Sequence, residues 1–127
     1  MECLKGHLDD PACRLVVAVD GAEIVGMATA EPLRDPDETG PVVPGGCFLG
    51  YLFVVPERWA EGIGGALLDT VLTEAKHSGY ERIHLWTHED NERSHRLYRS
   101  RGFSRTGRKS GDEGEWARGL GTAPERD

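Results

Sequence analysis

Two clusters of residues in this chain have the types and spacing to do chemistry. The first is the glycine-rich turn Glu61-Gly62-Ile63-Gly64-Gly65, set just ahead of a helical run. The opening turn of a helix leaves backbone N–H groups without partners, and the helix dipole adds positive potential there. Glycines let a phosphate approach the backbone closely, so the turn suits a pyrophosphate. It lacks the spacing of a dinucleotide fingerprint and the Lys-Ser/Thr ending of an ATP-type loop, and alone it fits a structural role equally well. The second cluster holds Asn91 and Tyr98 in a basic stretch, with Arg93, Arg96, Arg99, Arg101, Arg105, Arg108 and Lys109 against the single acid Glu92. That stripe is either a solvated face or a site for a small phosphorylated ligand. A net charge of −7 over 127 residues speaks against general nucleic-acid binding.

Other reactive side chains carry less. His84 and His88 fall on one face of a short alternating run, but two histidines do not make a metal site, and no metal is expected. Cys3, Cys13 and Cys47 are odd in number and far apart, which points to free thiols in a reducing cytoplasm rather than disulfides or a zinc knuckle. Met1 to Asp10 is polar and acidic, unlike a signal peptide. No apolar run approaches a membrane span.

The elements that must position these clusters follow from periodicity. Leu15 to Val19 and Glu23 to Ala30 read as strands around the hairpin signal Asp20-Gly21. Glu31 to Gly46, with four prolines and three glycines, reads as a loop. Phe48 to Val55 is a buried strand ended by Pro56. Leu67, Leu68, Val71, Leu72 and Ala75 recur on one helical face, and Gly79 stops that helix. Arg82 to His88 alternates as a strand. Asn91 caps a helix that reaches Ser100 and closes at Gly102. Phe103 to Lys109 and Glu115 to Leu120 flank the turn Ser110-Gly111-Asp112. The pattern predicts one α/β domain over residues 1–120 with a frayed tail at 121–127. Its sheet is mixed and mostly antiparallel, with one parallel strand–helix–strand crossover.

Leu85 to Phe103 follows the strand–turn–helix unit Phe48 to Leu68 at a fixed distance. Together they resemble the GNAT superfamily of acyl-CoA N-acyltransferases. The family pattern is a strand ending near Val-x-Pro, a turn ending in Gly-x-Gly, then Asn, a Tyr seven residues on, and Gly-Phe. Here those are Val54 to Pro56, Gly62-Ile63-Gly64, Asn91, Tyr98 and Gly102-Phe103, and the match runs from Leu15 to Leu120. The resemblance implies acetyl-CoA as co-substrate and transfer of its acetyl group to a primary amine by direct attack on the thioester. It implies that backbone amides of Ala60, Glu61, Gly62, Ile63, Gly64 and Gly65 hold the pyrophosphate. Leu52, Phe53 and Val54 would pair with the pantetheine arm as an added strand does, and the Val54 N–H would polarise the thioester carbonyl. Asn91, Arg93 and Ser94 would contact the cofactor, and Tyr98 would protonate the departing thiolate.

The chain departs from the family in several places. Trp59 stands where Gln or Arg is usual, and Ala60 and Glu61 where Gly and a basic residue are common. Leu49-Gly50-Tyr51 lacks the strand carboxylate that deprotonates the amine in many relatives; Glu31, His84, His88 or a water chain are the alternatives. The family's N-terminal strand and helices are expected to be missing, because only Met1 to Ala12 precede the first hairpin. That would leave a sheet edge and an apolar face exposed, which predicts a homodimer. A degenerate acyl-CoA-binding module and, more weakly, a nucleic-acid-binding module are the competing readings. The acceptor, a small molecule or a peptide, has no signature in the sequence; no membrane partner is expected, and the expected location is the cytoplasm.

Overall fold

A computed structural model of the chain describes residues 2–7, 12–35 and 39–121. The elements run β1 (Glu2–His7), β2 (Arg14–Asp20), β3 (Glu23–Arg34), β4 (Val42–Val54), a 3-10 turn (Pro56–Arg58), α1 (Ile63–His77), β5 (Arg82–His88), α2 (Glu92–Ser100), β6 (Ser104–Ser110) and β7 (Glu113–Gly119). The strands form one sheet in the order β1-β2-β3-β4-β5-β7-β6. Only β4 and β5 are parallel, and α1 connects them. This is the mixed, mostly antiparallel sheet predicted from the sequence.

Two expectations fail. An N-terminal strand is present: β1 pairs with β2 from Glu2↔Val19 to His7↔Arg14, so β1 and not β2 is the sheet edge. Cys3 packs against the core while Leu4, on the other face, is 48% exposed. So short an alternation carried no signal, and the pairing rests on backbone hydrogen bonds and on Lys5 Nζ, 3.1 Å from Glu74 of α1. The segment read as a loop at Glu31 to Gly46 is largely strand, since β3 runs on to Arg34 and β4 begins at Val42. Pro32 is tolerated because the register shifts between Pro32 and Arg34, where the ladder is already irregular. The expected tail at residues 122–127 lies outside the described residues.

The core lies between the sheet and its two helices. Ile63, Leu67, Leu68, Val71 and Ala75 form the buried stripe of α1, and full burial of a leucine side chain stabilises by about 1.5–3 kcal/mol. The helix sits close because β3 carries Gly26 beneath it. A Cβ there would lie 2.9 Å from Leu67 Cδ1 and 2.8 Å from the Phe53 carbonyl oxygen. Arg101, just beyond α2, grips the Asp69 carboxylate of α1 through Nε and Nη2, both at 3.1 Å. The opposite face of the sheet carries the cross-strand row Leu4, Val17, Met27 and Phe53, all in register.

The parallel contact is short. Gly46↔Arg82, Cys47↔Ile83 and Phe48↔His84 pair, and then the two strands separate. β4 continues along β3 to Val54, while β5 continues along β7 to His88. Gly50 is the extra residue of a β-bulge, because Thr29 pairs with Tyr51 while Ala30 pairs with Leu49. A bulge bends and twists its strand, and this one lies where β4 leaves β5.

Candidate active site

The separation of β4 from β5 exposes backbone groups that a continuous sheet would consume. The Val55 N–H donates to the Val25 carbonyl at 2.9 Å, which fixes the phase of the β3–β4 ladder. Hydrogen-bonding direction alternates along an antiparallel strand. Val54 and Leu52 therefore aim N–H and C=O away from β3, into the gap. Their side chains pack on the core, while Tyr51 and Phe53 stand exposed on the other face. The gap thus has a free β edge on one wall, suited to an extended ligand.

At the end of that edge the chain turns into α1. Gly62 is the N-cap with φ 82° and no side-chain cap, so the first amides of α1 stay open. Ala60 also has a positive φ, 70°, the one non-glycine residue to do so among the described residues. Arg58 fastens the loop: Nη2 lies 2.9 Å from Asp20 and Nε 2.8 Å from Glu61. These carboxylates raise the Arg58 pKa, first through the Glu61 hydrogen bond and then through Asp20. The pairing also answers the charge of Glu61, which does not line the groove. Trp59 folds back, its Nε1–H donating to the Val54 carbonyl at 2.9 Å, and the Arg93 Cζ lies over its ring, 4.3 Å from the centroid.

These parts enclose a groove of about 330 Å³. Leu52, Phe53 and Val54 line it from β4; Trp59, Ala60, Gly62, Ile63, Gly64 and Gly65 from the turn; Asn91, Arg93 and Ser94 from the start of α2. All the residues the sequence assigned to cofactor contact meet there except Glu61. Arg58 and Leu97 also line it and were not anticipated; both lie outside the motif, and only the contact of α1 with α2 brings Leu97 in. The basic stripe does not act as one surface. Arg101 pairs with Asp69 and Arg105 with Glu89, Arg108 lies near Asp35 and Glu115, and Arg93 alone of the stripe faces the groove.

A second cavity, about 320 Å³, occupies the gap between the strands. Tyr98 lines it from α2, with Thr87 and His88 from β5 and Gly50 and Leu52 from β4. Tyr98 is 6% exposed, its ring 5.6 Å from that of Phe103, and burial lifts its pKa to about 12. It therefore stays protonated at neutral pH, as a proton donor must. Asn91 Oδ1 accepts from the Ser94 N–H at 3.1 Å, so this residue caps α2 and lines both cavities at once. Buried His95 anchors the same helix, its Nε2 3.0 Å from the His88 carbonyl and its ring 5.0 Å from Trp116.

The gap adjoins a third cavity, about 560 Å³, which shares Leu49, Gly50, Trp86 and Glu113 with it. The Glu31 carboxylate lies at this junction: a Cβ on Gly50 would be 2.9 Å from Glu31 Oε1. His84 is engaged elsewhere, its Nδ1 3.0 Å from Glu115, a carboxylate that also accepts from Thr106 at 2.7 Å. His84 lines neither the gap nor the junction, whereas His88 lines the gap. Among the described residues no three His, Cys, Asp or Glu side chains converge on a metal position.

Residues 2–103 match the model of the acetyltransferase (GNAT) family. The chain belongs to the GNAT family. It is 34% identical over 112 residues to N-acetyltransferase 8 of Rattus norvegicus, covering 88% of this chain and 49% of that protein. It is 34% identical over 103 residues to N-acetyltransferase 8 of Homo sapiens, covering 81% and 44%. The chain spans about half the length of these curated relatives. Among solved structures, the PaiA N-acetyltransferase of Thermoplasma acidophilum in complex with coenzyme A superposes with TM-score 0.72 at 18% identity, over 85% of this chain and 61% of that one. The ribosomal-protein-S18-alanine N-acetyltransferase of Escherichia coli gives 0.74 at 18%, over 92% and 75%. Both are likenesses of fold. Within the GNAT pattern, the positive φ of Ala60 marks a position where glycine costs less. Trp59 replaces the usual polar side chain with a bond to the strand edge and a cation–π contact with Arg93.

Proposed function

We propose that this GNAT domain binds acetyl-CoA in the groove and gap and transfers the acetyl group to a primary amine by direct attack on the thioester. The observation that carries this reading is the β4 edge formed by Leu52 and the Val54 N–H, which leads from the open amides of α1 to Tyr98; the Val54 carbonyl is engaged by Trp59. The amides of Ile63, Gly64 and Gly65 take the pyrophosphate, and the Leu52 and Val54 edge takes the extended arm. The Val54 N–H donates to the carbonyl oxygen where negative charge develops. The amine enters from the cavity at Gly50 and loses a proton to Glu31. As the carbon–sulfur bond breaks, Tyr98 gives its proton to the thiolate. Tyr98 lines the gap and Glu31 the adjoining cavity, so acid and base act from separate pockets.

The test is calorimetric titration with acetyl-CoA, then mass spectrometry of three amines incubated with it: spermidine, a peptide with a free N-terminal alanine, and a lysine-bearing peptide. Saturable binding and acetylation of at least one are expected. Binding without acetylation would favour the non-catalytic module. Failure to bind would remove the reading. The row Leu4, Val17, Met27 and Phe53 also supports a dimer in which a second copy covers this face; a compact monomer by sedimentation at low micromolar concentration would remove that part. We place the domain in the cytoplasm, which localisation of a tagged chain would test.

A further inference from the structure

The pair Trp59–Arg93 spans the mouth of the groove. Trp59 comes from the turn before α1 and Arg93 from the first turn of α2, so the contact bridges the two walls that the strand separation creates. The indole is held in place by its N–H bond to the Val54 carbonyl. The guanidinium lies 4.3 Å from the ring centroid. Among the described residues Arg93 has no carboxylate partner, whereas Arg58, the other arginine on the groove, is held by Asp20 and Glu61. A cation–π contact of this kind consumes none of the guanidinium N–H groups as hydrogen-bond donors to a carboxylate or carbonyl. Arg93 therefore shares the groove with the open amides of Gly62 to Gly65 and keeps N–H donors available to phosphate oxygens.

We propose that Trp59 is a positioning residue that seats Arg93 as the side-chain ligand of the cofactor's phosphates. Through its bond to Val54, Trp59 also ties that phosphate contact to the strand edge that holds the acyl end. The proposal rests on the reading of the groove as the acetyl-CoA site. It turns the loss of a polar side chain at position 59 into a gain of a cation held in place. Trp59 is 48% exposed and Arg93 is exposed, so substitutions at either leave the core intact.

The experiment measures affinity for CoA and for pantetheine, which has the thiol arm and no phosphate, across four variants at two salt concentrations. Arg93→Ala should weaken CoA about tenfold or more, the size of a lost charge-assisted hydrogen bond, and leave pantetheine unchanged. Trp59→Leu should give a similar loss of CoA affinity. The double variant Trp59→Leu/Arg93→Ala should be little weaker than Arg93→Ala, because the two act as one unit. Trp59→Phe keeps an aromatic face but loses the bond to Val54, and should fall between the wild-type chain and Trp59→Leu. In Arg93→Ala and Trp59→Leu alike, the salt dependence of CoA binding should flatten. Additive losses, equal losses for pantetheine, or unchanged CoA affinity in Arg93→Ala would overturn the assignment while the wild-type chain still bound CoA. Failure of the wild-type chain to bind CoA at all would remove the assignment together with the reading of the groove.

Discussion

Replacing Tyr98 with Phe removes one oxygen from the wall of the gap and little else. The ring is buried beside Phe103 and survives the change. No side chain or backbone group among the described residues hydrogen-bonds its hydroxyl, so no partner is orphaned, and stability should move by no more than about 0.5 kcal/mol. The hydroxyl's pKa of about 12 means that the acid is fully protonated at neutral pH. Losing a positioned general acid costs about 10²–10⁴ in rate, or about 3–5 kcal/mol of barrier. Single-turnover measurement of thiol release with saturating amine isolates chemistry from product release, and calorimetry on the same variant should show unchanged acetyl-CoA affinity. Full single-turnover activity in Tyr98→Phe would refute the argument, because water would then suffice as the acid.

The remaining predictions address the groove, the base and pH. A Cβ on Gly64 would meet Leu97 Cδ2 at 3.5 Å and Val54 Cγ2 at 3.7 Å, ordinary contacts. Gly64→Ala should therefore fold and bind acetyl-CoA, stabilised by up to about 1 kcal/mol through helix propensity, whereas Gly64→Glu should abolish binding; equal affinity in both, by calorimetry, would move the site elsewhere. Glu31→Gln should slow acetylation about 10²–10⁴-fold with acetyl-CoA affinity intact, and a fully active variant would shift the base to His88 or water. Burial raises Cys47 from 9.0 to about 12 and Tyr98 from 10.0 to about 12. Both folded values exceed the unfolded ones, so the stability each contributes is complete below its unfolded pKa and is lost as pH climbs toward 12. Between pH 8 and 10 Cys47 alone should cost about 1.4 kcal/mol; urea midpoints at those two pH values measure this, and Cys47→Ala should flatten the slope.

Where periodicity or glycine punctuation was strong, the sequence was easy to read. The bounds of β5 and the cap at Asn91 follow from alternation and from a side chain that can accept from N3. β1 was missed because Glu2 to Gly6, with Cys3 partly buried among exposed residues, gives no pattern, and strand addition at an edge is decided by the backbone. The length of β3 and β4 was missed because Pro32, Pro44 and Gly45 read as breakers, yet lie in strands whose register is already shifted. In the site, the motif residues pointed to the groove, but Leu97 and the bond from Trp59 to Val54 depend on long-range packing. The Gly50 bulge, which brings Glu31 from the neighbouring strand to the junction, is a property of register, not of local sequence.

The central claim is that this groove delivers an acetyl group to an amine. The most direct measurement supplies acetyl-CoA labelled in its acetyl group, together with spermidine and the two peptides, and follows the label by mass spectrometry in the wild-type chain and in Gly64→Glu. The account predicts a labelled amide on at least one amine with the wild-type chain and none with Gly64→Glu. Label transferred equally by both proteins, or by neither while the wild-type chain binds acetyl-CoA, would contradict it.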